Sequence, residues 1–389
     1  MASPSIITLT SPGSPAALAS QTPQMDSFYG LTREALEAWC TLHGFSRVHA
    51  KTLFRSAYKA LNPEPWSAPS LPRACAALLP LSLSSAPLRL VAEQRSGYDH
   101  SLKFLVGLAG GREVEAVLMP ETKRLTLCLS SQVGCAQGCV FCHTGRMGLI
   151  RQLSTDEIVG QVLLAERWIA AHPEWLQQVR LPASTRISNI VFMGMGEPLD
   201  NVDAVIAALR ILSDPFGLAL GLSHISVSTA GHLDGIERLY AALPKARLAL
   251  SVHSTDDAQR SRIMPINKRW PLTEVVDRLR TILGGDGPPV LLQYTLIRGV
   301  NDRLEDAEQL ARLSQGLNAK INLIPLNVVG PSRLSAPSPE AIKAFRDLLC
   351  SHGLRVMVRY SKGQDIAAAC GQLVRDANSQ SGSSSSGET

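Results

Sequence analysis

The sequence contains no long apolar run and little cysteine. Its 389 residues include no apolar stretch of 18 or more, so we expect no membrane span. No Lys or Arg precedes Arg33, so the amino end lacks the basic segment that begins a secretory signal. Eight cysteines are far fewer than the roughly 8–10% of residues in a disulfide scaffold. These absences predict a protein of the reducing cytoplasm.

The composition is that of a folded chain with a local basic excess. Apolar residues make up 45% of the chain and charged residues 18%, which suits a large core with a smaller appendage. The formal net charge is +5, and residues 27–90 hold seven Lys or Arg against three Glu. Such a local excess favours an anionic partner, of which nucleic acid is the commonest.

The chain divides by composition into five segments. Residues 1–26 and 377–389 are rich in small and polar residues without any period, and we expect both to be disordered. Between them we predict a basic helical domain at 27–90, an accessory β element at 91–120 and the core of the protein at 121–376.

A basic stripe follows one face of the amino-terminal helices. It consists of residues at i, i+4, i+8 and i+12, namely Arg47, Lys51, Arg55 and Lys59. The opposite face is apolar and carries Ala50, Leu53, Phe54, Ala57 and Leu61. Like charges at this spacing repel by a few tenths of a kcal/mol per pair, so the stripe either faces solvent or meets phosphates.

Strands and helices alternate from residue 124 onward. Extended segments are predicted at 101–107, 112–119, 124–130, 187–193, 223–228, 246–252, 289–297, 319–325 and 354–360. Helices are predicted at 154–171, 201–213, 232–242, 272–284, 303–316 and 338–352. This alternation predicts βαβ units and a parallel sheet or barrel.

Four of the cysteines fall between Cys128 and Cys142, in a segment that contains GCAQGCVFCHTG. Cys135, Cys139 and Cys142 have C-x3-C-x2-C spacing. Three thiolates can hold three irons of a cubane cluster and leave the fourth iron open for a ligand. Structural zinc is the alternative, with Cys128 or His143 as the fourth ligand.

The motif resembles a known family. C-x3-C-x2-C with an aromatic residue before the last cysteine is similar to the signature of radical S-adenosylmethionine (SAM) enzymes. The longer segment LCLSSQVGCAQGCVFCHTG resembles the RlmN/Cfr family of RNA adenosine methyltransferases. Six further segments match in the same order: VFMGMGEPL (191–199), VSTAG (227–231), LSVHS (250–254), MPINK (264–268), INLIP (321–325) and AACGQL (368–373). The resemblance covers about residues 28–375 and implies a partial (β/α)6 radical SAM barrel with an amino-terminal helical domain.

The resemblance also implies cofactor sites. The motif cysteines would bind one 4Fe-4S cluster. S-adenosylmethionine would be used twice per turnover and would contact the positions Gly196, Glu197, Ser228, Ser251, Val252, His253 and Asn327. By their chemistry alone, a lone Ser or His at a strand end is more often a satisfied polar group.

The resemblance assigns the reaction to three further residues. Cys370 would be methylated by one cofactor molecule, and a deoxyadenosyl radical from a second would remove a hydrogen atom from that methyl group. The carbon radical would add to the adenine ring. Glu115 would accept the ring proton, and Cys128 would release the product by forming a disulfide with Cys370.

The resemblance leaves the RNA target open. Carbon 2 of an adenosine in 23S ribosomal RNA is the expected target, with a transfer RNA adenosine as a second one. Arg151-Gln152-Leu153 departs from the Arg-Asn-Leu of many members, and the tail is Ser-rich rather than basic. The alternatives are carbon-8 methylation, as in the antibiotic-resistance branch, and a zinc-stabilised RNA-binding protein without catalysis. We further expect a monomer that uses a reducing electron donor.

Overall fold

One ten-stranded sheet organises the fold. The computed structural model describes residues 26–284, 287–327, 334–368 and 371–373. Within them, ten strands pair strictly in chain order. They are β1 Arg89–Arg95, β2 Leu102–Gly107, β3 Glu113–Glu121, β4 Arg124–Cys128, β5 Ile187–Phe192, β6 Ile225–Thr229, β7 Arg247–Ser251, β8 Val290–Leu296, β9 Ala319–Pro325 and β10 Arg355–Val358.

The sheet has an antiparallel part and a parallel part. Strands β1 to β4 pair antiparallel. Strands β4 to β10 run parallel, and helical crossovers connect each to the next. The sheet order ends at β1 and β10, so in the described part of the chain the barrel is open between these edges. The predicted partial barrel with a short antiparallel element is confirmed.

Helices cover the outside of the parallel strands. Their bounds are α1 Arg33–Leu42, α2 Val48–Phe54, α3 Arg73–Ser82, α4 His143–Arg146, α5 Thr155–Ala171, α6 Pro173–Gln178, α7 Val202–Ser213, α8 Leu233–Ala242, α9 Asp257–Ile263, α10 Leu272–Leu283, α11 Leu304–Ser314 and α12 Pro339–Ser351. The six predicted crossover helices agree with α5, α7, α8, α10, α11 and α12 to within two residues. No helix in the described ranges is both long and apolar enough to span a membrane.

The amino-terminal helices pack against the outer helical layer rather than over the strand ends. Four residues of the predicted apolar face, Ala50, Leu53, Phe54 and Ala57, are fully buried, whereas Leu61 is partly exposed. Arg33 donates from Nε to Asp214 Oδ2 at 2.8 Å, which ties α1 to the segment after α7. Lys51 and Arg55 of the basic stripe lie over the ring of Phe216, at 4.9 and 5.1 Å from its centroid. Half of the stripe therefore has an intramolecular cation–π contact, an arrangement that the two sequence alternatives did not include.

A two-stranded hairpin follows β4 and begins the loop that carries the cysteine motif. Its strands are Gln132–Cys135 and Gly148–Gln152. Gly134 has φ +77°, and a Cβ there would lie 1.9 Å from the carbonyl oxygen of Gly148. Only glycine allows the two strands this close, so the hairpin fixes the position from which the motif loop begins.

Candidate active site

A cavity opens at the carboxyl ends of the parallel strands. It holds about 980 Å³ of empty space, counted out to its mouth. Nine of the predicted cluster and cofactor residues line it: Cys135, Cys139, Cys142, Gly196, Glu197, Ser228, Ser251, His253 and Asn327. Val252 is fully buried between two of them. Residues from five separate segments thus meet at the end of the barrel where parallel α/β folds build active sites.

The three motif thiols share one wall of this cavity. Burial raises the pKa of Cys135 to about 12. Burial and the neighbouring Cys142 and Cys135 raise the pKa of Cys139 well above its usual range. Thiols in such surroundings are held as thiolates only beside positive charge, which bound iron supplies. Among the described residues, no group of three or more His, Cys, Asp or Glu side chains is placed to hold a single metal ion. The three thiols instead line a wider shared space.

The carboxyl-terminal segment closes onto the motif loop. The backbone N–H of His143 donates to the carbonyl of Gly371 at 2.8 Å, and Thr144 Oγ1 donates to the carbonyl of Leu373 at 2.7 Å. Gly371 also lines the cavity. Cys370, predicted as the methyl carrier, lies outside the described residues. We name this pair of hydrogen bonds the terminal clasp.

Glu197 is fixed by backbone donors deep in the cavity. Its Oε2 accepts from the N–H of Ala230 at 2.7 Å and its Oε1 from the N–H of Leu199 at 3.1 Å. Burial raises the pKa of this carboxyl to about 7. Gln132 Oε1 accepts from the N–H of Glu197 at 2.7 Å. The hairpin thus holds the Gly196-Glu197 loop against the cavity.

Gly196 is required by this packing. It has φ +108°, and a Cβ there would lie 2.6 Å from Cβ of Gln132. Gln132 Nε2 also donates to Gln152 Oε1 at 2.9 Å, which joins both strands of the hairpin to the loop. Gln152, the residue that departs from the Asn of many family members, therefore supports the cavity wall through its side chain.

A buried arginine holds two of the loops that line the cavity. Arg260 of α9 has no exposed surface. Its guanidinium donates to the carbonyls of Ala230, Ser251 and Val252 at 2.7 to 3.0 Å. These carbonyls lie just beyond or at the carboxyl ends of β6 and β7. One planar cation with several donors can bridge them in a way that a lysine ammonium cannot.

His253 presents one ring nitrogen to the cavity. Thr295 donates its backbone N–H to His253 Nδ1 at 2.9 Å, so Nδ1 is the acceptor and Nε2 carries the proton. Burial, with the nearby Arg260 charge, lowers the pKa of His253 to about 3. The ring packs edge-to-face with Phe141 at 5.0 Å between centroids. His253 is thus a neutral donor beside the motif loop.

Ser228 and Asn327 are both held by neighbouring side chains. Ser228 Oγ donates to Gln293 Oε1 at 3.1 Å. Asn327 Nδ2 donates to Ser361 Oγ, and Asn327 Oδ1 accepts from Gln364 Nε2 at 3.1 Å. Both side chains therefore line the cavity from fixed positions.

Cys128 borders a second, smaller cavity that adjoins the first. Met193 and Ile324 line both spaces. Cys128 pairs with Val117 across β4 and β3. Glu115 lies two residues from Val117 and so projects on the same face of the sheet as Cys128. Its side chain is 7% exposed, and Lys103 Nζ lies 3.3 Å from its Oε1.

The comparisons identify the family. Residues 129–313 match the model of the Radical SAM superfamily. A probable dual-specificity RNA methyltransferase RlmN from Akkermansia muciniphila is 38% identical over 372 residues, which cover 93% of this chain and 99% of that protein. The chain belongs to the RlmN family. A relative with the same name from Moorella thermoacetica is 42% identical over 349 residues, which cover 88% of this chain and 96% of the relative.

A solved structure supports the same membership. The radical SAM methyltransferase from Sphaerobacter thermophilus superposes with a TM-score of 0.81 at 39% identity, covering 90% of this chain and 99% of that one. The predicted family and partial barrel are confirmed, and the protein is a radical SAM RNA methyltransferase. The family implies a 4Fe-4S cluster and S-adenosylmethionine. The thiol-lined wall and the polar residues around it fit both groups.

Sequence reasoning missed several residues of this RlmN-family site. Gln293 lines the cavity, and its polar side chain within the apolar strand LLQYTL was a usable signal. Arg260 gave no such signal, because its helix carries exposed arginine as well. Lys103 was also missed, since a lysine on a predicted strand usually faces solvent.

Proposed function

We propose that this RlmN-family enzyme methylates carbon 2 of an adenosine, in 23S ribosomal RNA and in transfer RNA, through a methylated Cys370. The observation that carries the proposal is that Met193 and Ile324 line both the cofactor cavity and the cavity at Cys128. A substrate base at Cys128 would then lie next to the cofactor. The relatives from Akkermansia muciniphila and Moorella thermoacetica are named as probable dual-specificity RNA methyltransferases, which supports two kinds of RNA substrate.

The reaction explains why such cofactors are needed. Carbon 2 of adenine is electrophilic, so an ordinary polar methyl transfer has no nucleophile there. When bound, the cluster and two molecules of S-adenosylmethionine per turnover supply a methyl group and hydrogen-atom abstraction. Cys135, Cys139 and Cys142 would bind the cluster through their thiolates.

The cavity residues orient the cofactor. The carboxylate of Glu197 is suited to an ammonium group, and Gly196 lets the backbone approach it. His253 donates from Nε2, while the hydroxyls of Ser228 and Ser251 and the amide of Asn327 offer further hydrogen bonds. Val252 contributes its backbone only. The side chains of Glu197, Ser228, His253 and Asn327 are held by hydrogen bonds to other residues, which keeps their geometry fixed.

The remaining chemistry belongs to three side chains. The Cys370 thiolate accepts the methyl group. The Glu115 carboxylate accepts the ring proton of the adenine, and the electron that the adduct loses would return to the cluster. Cys128 Sγ then attacks the Cys370 sulfur, the bond from that sulfur to the transferred carbon breaks, and the carbon takes up a proton to become the methyl group, which leaves a disulfide. The shared sheet face of Glu115 and Cys128 supports this division of roles. A reductant then restores the two thiols.

Nucleoside mass spectrometry tests the proposal. The wild-type enzyme, reduced and supplied with S-adenosylmethionine, is incubated with ribosomal and transfer RNA, and 2-methyladenosine is the expected product. A carbon-8 product would assign the enzyme to the antibiotic-resistance chemistry instead. Cys370→Ala should abolish methylation and leave the cluster absorbance intact. Normal turnover by that variant would rule out Cys370 as methyl carrier.

We also propose the setting in which the enzyme acts. RNA substrates and a cluster that needs reduction place it in the cytoplasm, as a monomer served by an electron donor. The basic residues of 27–90 would contact phosphates without reading sequence. Iron and sulfide analysis after anaerobic purification addresses the zinc alternative, because zinc without sulfide would contradict the radical mechanism.

A further inference from the structure

A second opening lies at the amino ends of β4, β6 and β7, away from the cofactor cavity, and the segment that follows β10 forms its side. It holds about 1020 Å³, counted out to open solvent. Its lining includes one acidic residue, Glu121, and several cationic or polar ones: Arg124, Arg247, Arg359, Lys362, His224, Asn189, Ser226 and Tyr360. We call this space the basic funnel. Four cationic side chains against one carboxylate give it a positive potential.

Two of these cations are available to a ligand. Arg124 pairs with Glu121, and Lys362 Nζ donates to the carbonyl of Pro120 at 2.9 Å. In the ranges that the structure describes, neither the Arg247 nor the Arg359 side chain has a carboxylate within ion-pair distance. Both are partly exposed in the funnel. Guanidinium groups in this state suit bidentate contacts to phosphate.

The basic funnel adjoins the site of the proposed reaction. Val191, Arg359 and Lys362 line both the funnel and the cavity at Cys128. That cavity in turn shares Met193 and Ile324 with the cofactor cavity. The cavity at Cys128 therefore lies between the basic funnel and the cofactor cavity.

Strand β7 has one end at the basic funnel and the other at the cofactor cavity. Arg247 and Ser251 are the first and last residues of β7, and they project on the same face because strand side chains alternate. At about 3.3 Å per residue they are roughly 13 Å apart along the strand. Ser251 lines the cofactor cavity and Arg247 lines the basic funnel. A flipped nucleotide fits within such a distance.

We propose that RNA enters this enzyme through the basic funnel, at the barrel end opposite the cofactor. Arg247 and Arg359 bind phosphates that flank the extruded adenosine, and the exposed ring of Tyr360 at the rim stacks on a neighbouring base. This inference rests on the proposed function. Chemistry on a base requires that the base leave its stack, and extruded single strands are bound by cationic grooves with aromatic platforms. Entry from the amino end also lets cofactor and RNA bind without competing for one opening.

A double variant tests the phosphate contacts. Arg247→Gln/Arg359→Gln is compared with Arg278→Gln/Arg312→Gln, which removes the same charge from exposed positions on α10 and α11. The probe is a fragment of 23S ribosomal RNA, used in turnover assays where the wild-type enzyme methylates it and in binding assays in every case. We expect the KM for RNA to rise at least tenfold in the funnel variant with kcat within twofold. The control should match wild type, and cluster absorbance and S-adenosylmethionine affinity should be normal in both.

The salt dependence of RNA binding gives a second readout. Each phosphate contact to a single strand contributes about 0.7 to the slope of log affinity against log salt concentration. Losing two contacts should lower the slope by about 1.4 in fluorescence anisotropy titrations. An unchanged KM and slope in the funnel variant would overturn the proposal. The proposal would also be overturned if the funnel variant lost binding to polyglutamate but kept its binding to RNA, because the funnel would then bind an acidic peptide.

Tyr360 provides an independent test. Tyr360→Ala should weaken RNA binding by about tenfold, whereas Tyr360→Phe should retain wild-type affinity, because stacking needs the ring and not the hydroxyl. Equal losses in both variants would exclude stacking. Fluorescence anisotropy measures RNA binding without catalysis. These outcomes therefore stay interpretable even if the wild-type enzyme yields no methylated nucleoside. Absence of the methylated nucleoside would instead refute the proposed function.

Discussion

Lys103 Nζ lies 3.3 Å from Glu115 Oε1, across the neighbouring strands β2 and β3. The two side chains are 11% and 7% exposed, so the pair is nearly removed from water. Ser130 Oγ donates to the backbone carbonyl of Glu115 at 2.6 Å, which fixes the strand at this point. A buried carboxylate is stable in its charged form only beside such a partner. The ammonium therefore stabilises the charged form of Glu115, the form that its proposed role as proton acceptor requires.

Removal of that ammonium should slow methylation. In Lys103→Met the buried carboxylate of Glu115 loses the positive charge beside it, which disfavours its charged form. We expect kcat at neutral pH to fall at least tenfold, with the acid limb of the pH–rate profile moved to higher pH. Lys103→Arg should restore most of the activity. A uniform loss at every pH, without movement of that limb, would show that Lys103 only supports packing.

Loss of one motif thiol should prevent cluster binding. Cys139→Ala removes a ligand from the cavity wall, so we expect much less iron and sulfide per chain and little of the visible cluster absorbance. Cys350→Ala is the matched control, since Cys350 is exposed on α12. A full complement of iron and sulfide in Cys139→Ala would contradict the assignment of Cys139 as a ligand.

Replacement of Arg260 should weaken both the fold and cofactor binding. Arg260→Gln leaves buried carbonyls without donors, and each such group costs about 1–3 kcal/mol. The loops of Ser251 and His253 lose their common anchor, so the Kd for S-adenosylmethionine should rise at least tenfold in equilibrium dialysis. Arg262→Gln, two residues away and exposed, should leave the melting temperature and Kd unchanged. Wild-type affinity in Arg260→Gln would refute the positioning role.

His253 should make the folded state less stable in acid. Its pKa is about 3 when folded, against the usual 6.5. Between pH 3 and pH 6.5 the unfolded chain binds a proton at this histidine that the folded chain does not bind. The contribution of His253 to the free energy of unfolding is therefore complete above pH 6.5 and declines as the pH falls toward 3. At 1.36 kcal/mol per pKa unit, about 2 kcal/mol is lost by pH 5.

Melting curves of wild type and His253→Gln at pH 7 and pH 5 measure this effect. The stability advantage of wild type should shrink at pH 5, whereas exposed His43→Gln should show a constant difference from wild type. If the difference in stability between wild type and His253→Gln does not change with pH, protonation of His253 does not destabilise the folded state.

The sequence predicted the parallel strands well because their apolar runs alternate with amphipathic helices. Strand β1 was missed, since Arg89–Arg95 is mostly polar and half exposed at the sheet edge. The hairpin at Gln132–Cys135 was missed because glycine interrupts it. Arg260 and Arg262 show the limit for the site. Both stand on the short helix α9, yet one is fully buried and the other exposed. The tertiary structure, and not the local sequence, determines which of the two is buried.

The terminal clasp has a consequence for how the enzyme matures. Its partners on the motif loop, His143 and Thr144, leave the ribosome long before Gly371 and Leu373. Because the sheet pairs in chain order, most of the barrel can assemble while the motif cysteines are still uncovered on that side. Iron and sulfide can therefore reach the loop during synthesis, before Gly371 and Leu373 bond to it.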